Sequence, residues 1–276
     1  ILSTVGDLRT VIYPFLELSI HGGVDIAAAP GTDVFPVTSG YVAEVDPIHQ
    51  FTQVDAYKYQ LIQPDFYSVG WPVAVGSTRL GFIIQDPTVL AELNEEGMSS
   101  HLHFSDSLNP LNAGLAPFVD AANPTIALDG VYMEPSYPSF TLLSGTPFPN
   151  FLGSPLASGR VNIKAQANDP SVNPDGTGGG RSMSVFKYGY EALTAGGGLI
   201  SQTIPCTFNS PAFARPEMVY AAPTTTSPVS YFYWVTNACG SHSWWDSTSV
   251  PDGQYKIRAM VADVQNGFGG RQPFIY

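Results

Sequence analysis

The chain is short of charge. Asp, Glu, Lys and Arg make up 12% of its 276 residues, against about 25% in an ordinary soluble protein. Cations are the scarcer sign, with 11 Lys and Arg against 23 Asp and Glu and a net charge of −12. Nucleic acid and anionic lipid surfaces are bound through clustered cations, so neither is expected as a partner. The acidic balance by itself names no partner and serves solubility. No apolar run approaches the roughly 20 residues that a membrane-spanning helix requires, so no membrane span is expected. The first residue is Ile1 and no signal peptide is visible; a processed form or a fragment is expected, its targeting segment already lost. Cysteine is also scarce. Cys206 and Cys239 are the two present, both in the second half. Paired, they would close a loop worth about 3–4 kcal/mol in the chain-entropy model; two buried free thiols are the alternative. A pair suits an exported protein, as do the low Lys content and the Ser-, Thr- and Asn-rich loops, so an extracellular, periplasmic or cell-surface location is expected. The His-Glu-x-x-His helix of the commoner metalloproteases is missing. The run Gly178-Gly179-Gly180 is not followed by Gly-Lys-Ser/Thr or by a helix, so it is no phosphate loop.

What is present is β composition. Hydrophobic residues reach 44%, enough for a sizeable core, and 27 Gly, 24 Pro, 14 Tyr and 16 Phe punctuate and fill it. An all-β, mainly antiparallel fold is expected. The length fits one large or two medium domains. Ala121-Ala122-Asn123-Pro124 reads as a linker, giving domains over 1–122 and 123–276. In the first, Val34–Val37 and Gly40–Val45 read as strands paired across Thr38-Ser39-Gly40. Trp71–Gly76 and Leu80–Ile84 read as further strands, and Thr88–Glu96 as the one helical stretch. The second reads as a β-sandwich. Gly159–Ala167 and Gln254–Asp263 alternate apolar and polar residues, the latter after a Pro251-Asp252-Gly253 turn, and Asp169–Gly180 reads as a long loop.

Chemistry concentrates in the histidines. His21 and Asp25 flank Gly22-Gly23-Val24, and His101 and His103 flank Leu102. Side chains two apart on a strand share a face, so His101 and His103 can line one cleft, one binding a metal and the other beside it. A straight strand would hold His21 and Asp25 about 13 Å apart; the backbone must bend between them, and Gly22-Gly23 tolerates a bend or bulge. Two imidazoles and one carboxylate make a tetrahedral zinc site with an open position, which marks a catalytic site. Non-haem iron also takes such a set, whereas calcium and magnesium prefer oxygen shells. A hydrogen-bonded core cluster is the bland alternative. In the second half, His242-Ser243-Trp244-Trp245 reads either as an aromatic wall-binding patch or as core packing.

The stretch His21-Gly22-Gly23-Val24-Asp25-Ile26-Ala27-Ala28, with Pro30-Gly31-Thr32, Pro36-Val37 and Gly40-Tyr41-Val42, resembles the signature of the lysostaphin-type zinc endopeptidases. His101-Leu102-His103-Phe104 with Asn109-Pro110 resembles the second motif of that family, and Val69–Gly76 with Leu80-Gly81 its intervening strand pair. The resemblance covers about residues 15–112. It implies a lysostaphin-type β-sheet peptidase domain, and the sandwich that the strand pattern of the second part suggests, expected to be Ig-like, would follow it. It implies zinc held by His21, Asp25 and His103, with His101 as general base or water-orienting group. The substrate would be a peptide cross-link of bacterial peptidoglycan or another Gly-rich peptide, attacked by a zinc-bound water.

One departure stands out. The family carries a further histidine in a Tyr-x-His-Leu segment, and the matching stretch Tyr57-Lys58-Tyr59-Gln60-Leu61 holds Gln60. Glutamine donates a hydrogen bond but cannot shuttle a proton. His49 is the spare histidine of that interval and the candidate substitute, folding in from the loop after Val45. Two functions follow. The chain is an exported zinc endopeptidase, or it is a catalytically impaired member of the same fold that binds cell wall or serves surface assembly through its C-terminal domain.

Overall fold

The computed structural model describes residues 8–11, 17–65, 67–84, 100–105, 123–135, 141–172, 178–209, 215–226 and 229–262. They form an all-β, mainly antiparallel protein. The first half contains β1 (Leu8–Val11), β2 (Glu17–Ile20), β3 (Val24–Ala27), β4 (Asp33–Val34), β5 (Gly40–Asp46), β6 (Phe51–Val54), β7 (Tyr57–Gln60), β8 (Ile62–Pro64), β9 (Pro72–Val73), β10 (Gly81–Ile83) and β11 (His101–Ser105). The second contains β12 (Thr125–Met133), β13 (Thr146–Pro147), β14 (Asn150–Phe151), β15 (Ser154–Pro155), β16 (Arg160–Val172), β17 (Gly178–Met183), β18 (Lys187–Thr194) and β19 (Leu199–Thr207). After these come the short helix α1 (Pro216–Val219), then β20 (Thr225–Thr226), β21 (Val229–Ser230), β22 (Phe232–Trp234), β23 (Trp245–Asp246) and β24 (Tyr255–Ala262).

In the first half the order β3-β11-β7-β6-β5-β9 makes one sheet and β4-β10-β8 a second. Each strand presents alternate residues to one core. Val24, Phe104, Tyr59, Val54 and Val42 from the larger sheet meet Val34, Leu80, Ile62 and Ile83 from the smaller. Phe104 anchors the cluster, with its ring 5.5 Å from that of Tyr57 and 5.0 Å from that of Tyr59. The opposite faces of β3, β11 and β7 therefore carry Asp25, His101, His103 and Gln60.

In the second half β13-β12-β16-β17, extended by β22 and β23 on β16, and β19-β18-β24 enclose a second cluster. Val161, Ile163, Ala165 and Ala167 of β16 enter it at every second position, facing Tyr188, Tyr190 and Ala192 of β18 and Ala259 and Val261 of β24. Cys206 and Cys239 are joined by a disulfide that closes a 33-residue separation within this cluster.

Several pairings differ from those the sequence suggested. Val34–Val37 does not pair with Gly40–Val45: β4 pairs with β10, and β5 with β6 and β9. Pro36 has no N–H to give a ladder, and the Val37 N–H donates to the Tyr59 hydroxyl at 2.9 Å, so the chain leaves the sheet there. The hairpin β5–β6 forms instead between neighbours in sequence. Trp71–Gly76 and Leu80–Ile84 are likewise not partners of each other, since β9 pairs with β5 and β10 with β4 and β8. Within the expected loop Asp169–Gly180, β16 runs to Val172 and pairs antiparallel with β17, which begins at Gly178; residues 173–177 lie outside the described residues. The strands expected over Gly159–Ala167 and Gln254–Asp263 are found as β16 and β24. Thr88–Glu96, Asn109-Pro110 and Ala121-Ala122 lie outside the described residues.

Candidate metal centre

The antiparallel register of β3 and β11 sets His103 opposite Asp25 and His101 opposite Ala27. Directly opposed residues share a face of the sheet, so Asp25, His103 and, two positions along, His101 converge on one side. The same register sets Gln60 of β7 opposite His103 on the other flank and Phe51 opposite Gln60. Asp25, His103, Gln60 and Phe51 thus form one row across four strands. The Lys58 ammonium, on the same face of β7, lies 3.6 Å over the Phe51 ring.

His21 reaches this row from outside the sheet. It follows β2 and precedes β3, on an irregular connection through Gly22-Gly23, so the bend that the sequence requires between His21 and Asp25 is present. Its Nε2 lies 3.3 Å from Asp25 Oδ1 and 3.1 Å from His103 Nδ1. His103 Nδ1 lies 2.8 Å from Asp25 Oδ1. His101 Nε2 stands beside this triangle, 3.7 Å from Asp25 Oδ1, with its ring buried.

Three donor atoms in mutual contact are what a tetrahedral cation needs. With zinc–ligand bonds of about 2.0–2.1 Å, the edge of the tetrahedron is about 3.3–3.4 Å. The edges here are 2.8, 3.1 and 3.3 Å, so His21, Asp25 and His103 reach zinc geometry by opening a few tenths of an ångström. They also form a group whose ligand atoms all lie within metal-binding distance of one another. Two neutral imidazoles and one carboxylate are a borderline-soft donor set that suits zinc and leaves a net positive site.

The electrostatics favour a charged Asp25. The residue is 2% exposed. Burial pushes its carboxyl up, but the positive field of His21 and hydrogen bonds from His103 and His21 outweigh that and hold it well below the usual carboxylate range. Asp25 is therefore an anion throughout neutral and mildly acidic conditions, ready to offset one cationic charge.

Gly23 has a role that the sequence did not reveal beyond the bend. A Cβ at this position would lie 2.7 Å from His103 Nε2, 2.8 Å from His103 Cε1 and 2.8 Å from the Phe104 carbonyl oxygen. The His103 ring packs against bare backbone, and only glycine leaves it that space. The available signal was the position of Gly23 directly before a strand that carries a candidate ligand, Asp25.

His49, the candidate catalytic substitute, is exposed. It lies on the turn between β5 and β6 with a side chain 75% exposed, and its Nδ1 engages Asp46 Oδ2 at 2.6 Å. In the second half, Trp245 is buried in the second cluster. Trp244 is half-buried, with the Arg160 guanidinium 3.9 Å over its ring and the His242 ring 5.1 Å away. His242 and Arg160 both contact Glu134.

No protein-family model, curated protein or solved structure matches the chain.

Proposed function

We propose that the chain is an exported zinc endopeptidase of the lysostaphin type that cuts peptide cross-links of peptidoglycan or a similar Gly-rich peptide. The observation that carries this reading is the contact triangle of His21, Asp25 and His103 with His101 beside it, in the same order as the family's two motifs. His21 Nε2, Asp25 Oδ1 and His103 Nδ1 would hold the ion. Bound zinc acidifies water and polarises a carbonyl oxygen. Asp25 offsets one of the two charges and leaves the site cationic. His101 accepts the proton of the attacking water and returns it to the leaving amine, the role of a positioned imidazole. Gln60, next to His103 in the row, donates a hydrogen bond to the substrate carbonyl and carries no proton. In this reading the first half is a peptidase-like domain. The second, two sheets around one core, is an Ig-like accessory module for targeting or assembly. The disulfide supports an extracellular, periplasmic or surface setting.

The test is digestion. The zinc-loaded protein is incubated with purified peptidoglycan and with a synthetic oligoglycine peptide, and the fragments are read by mass spectrometry. New amino termini within the cross-link are expected; intact substrate at every pH tried from 6 to 9 would contradict the reading.

Gln60 favours a second reading, in which the site holds metal and peptide but turnover is lost and the chain serves cell-wall binding or surface assembly. That reading predicts a protein that retains zinc without cleaving and gains cleavage on Gln60→His. Cleavage by the unaltered protein removes it.

A further inference from the structure

Asp25 and His103 stand on paired strands, but His21 stands on the connection between β2 and β3. Its two neighbouring anchors belong to different cores. Upstream, Ile20 ends β2 and packs against the hydrophobic cluster of the second half. Downstream, Val24 begins β3 and is wholly buried in the cluster of the first half. Only His21, Gly22 and Gly23 separate them. At about 3.3–3.6 Å of reach per residue, so short a connection holds His21 between the two cores with little slack.

The second half reciprocates. Met183 ends β17 and is 2% exposed, and it belongs to the cluster of the first half together with Val24 and Phe104. The segment behind Ile20 is braced as well. β2 lies beside α1 and β1 beside β20. The Arg215 N–H at the start of α1 donates to the Cys239 carbonyl at 2.7 Å, next to the disulfide. Met183 of the second half thus enters the core of the first, Ile20 of the first packs against the core of the second, and His21 lies beside one of these crossing points.

Resting on the metal centre proposed above, we infer that the second half is a structural part of that centre. By holding Ile20 against its own core and placing Met183 in the other, it fixes His21 at ligand distance from Asp25 and His103 and thereby sets metal affinity. Ile20 and Met183 are positioning residues that act through His21 and through the strand bearing Asp25. This role differs from that of an appended module, which would leave the site indifferent to its packing.

The test uses the full chain. Zinc affinity is measured by competition with a chromophoric chelator, coordination geometry by the visible spectrum of the cobalt-substituted protein, and stability by melting of the metal-free form. Ile20→Ala and Met183→Ala are expected to weaken zinc about tenfold, as loss of an outer support does in metal sites, and to alter the cobalt spectrum. Ile257→Ala is the control: Ile257 packs against the second cluster from β24, and its loss is expected to lower the melting temperature with affinity and spectrum unchanged. If the alanine variants do not fold, Ile20→Val and Met183→Leu carry the same comparison with affinity losses of about two- to threefold, toward the low end of couplings between packed sites. Unchanged affinity and spectrum in the folded Ile20 and Met183 variants overturn the inference, as does an equal loss in Ile257→Ala. Failure of the unaltered chain to bind zinc or cobalt overturns it by removing the metal centre beneath it.

Discussion

Each half of the molecule sets a carboxylate against histidine, and the two settings differ. In the first, Asp25 is nearly fully buried and is met by His103, His21 and His101 at 2.8, 3.3 and 3.7 Å. In the second, Glu134 is a quarter exposed and contacts both His242 and the Arg160 guanidinium, the latter at 3.0 Å, while Arg160 also covers Trp244. Arg160 is a permanent cation, so the charge of Glu134 is already answered and the group acts as a structural ion pair. The imidazoles around Asp25 can be neutral bases that turn a lone pair toward an incoming cation. Burial together with the company of imidazoles, rather than the mere presence of a histidine–carboxylate pair, distinguishes the candidate metal centre.

The contrast can be broken at several points. The largest effect is expected at His101. His101→Ala should lower peptide hydrolysis by about 10²–10⁴-fold, the usual worth of a general base, with zinc content unchanged. If zinc is lost with it, His101 is a ligand and the division of roles within the site is wrong. Next comes the disulfide of the second half. Replacing Cys206 and Cys239 with Ser should cost about 3–4 kcal/mol in denaturant unfolding, far more than any single surface contact. An unchanged midpoint would show that the second core holds without its cross-link.

Gly23→Ala should follow, weakening zinc by about 10–100-fold, the range seen when the support of a metal ligand is disturbed, because the new Cβ meets the His103 ring. Chelator competition measures it, and wild-type affinity would show that the ring has room to move. Glu134→Gln should be the smallest. Burial pushes the Glu134 carboxyl up, while Arg160 and His242 pull it down further, so it sits below the ordinary carboxylate range in the folded protein. A depressed carboxyl contributes stability fully above its unfolded value of about 4.3 and loses that contribution as pH falls through the depressed folded value. The variant should therefore melt lower than the parent at neutral pH, by under about 1 kcal/mol for so exposed a pair, and match it in acid. A gap of equal size in acid would point to packing rather than charge.

The site was more legible in the sequence than the sheet that builds it. Strand periodicity and a glycine bend are local properties, and both operate here; they allow His21 and Asp25 to meet and put His101 and His103 on one face, while the choice of His103 rather than His101 to complete the ligand set is what the family resemblance implies. The alternation of β16 and β24 was legible for the same reason. Strand partners were not. The choice between β4–β5 and β4–β10 depends on contacts distant in the chain, and the Tyr59 hydroxyl that captures the Val37 N–H leaves no local trace. The pairing of β16 with β17 was hidden by a Gly- and Asn-rich composition that suits turns as readily as edges. The exchange of Ile20 and Met183 between the cores was beyond reach, since each reads simply as an apolar residue at a strand end. His49 is a candidate as the spare histidine between the two motifs, and its sequence position leaves open where the side chain points; the structure sets it on an exposed turn against Asp46.

The central claim is that His21, Asp25 and His103 form a metal centre, and zinc per chain measures it directly. Elemental analysis of protein purified without added metal, then offered zinc and desalted, should give about one zinc per chain, and the His21→Ala chain treated in parallel should give none. No zinc in the unaltered protein after loading, or equal zinc in both, would contradict the claim.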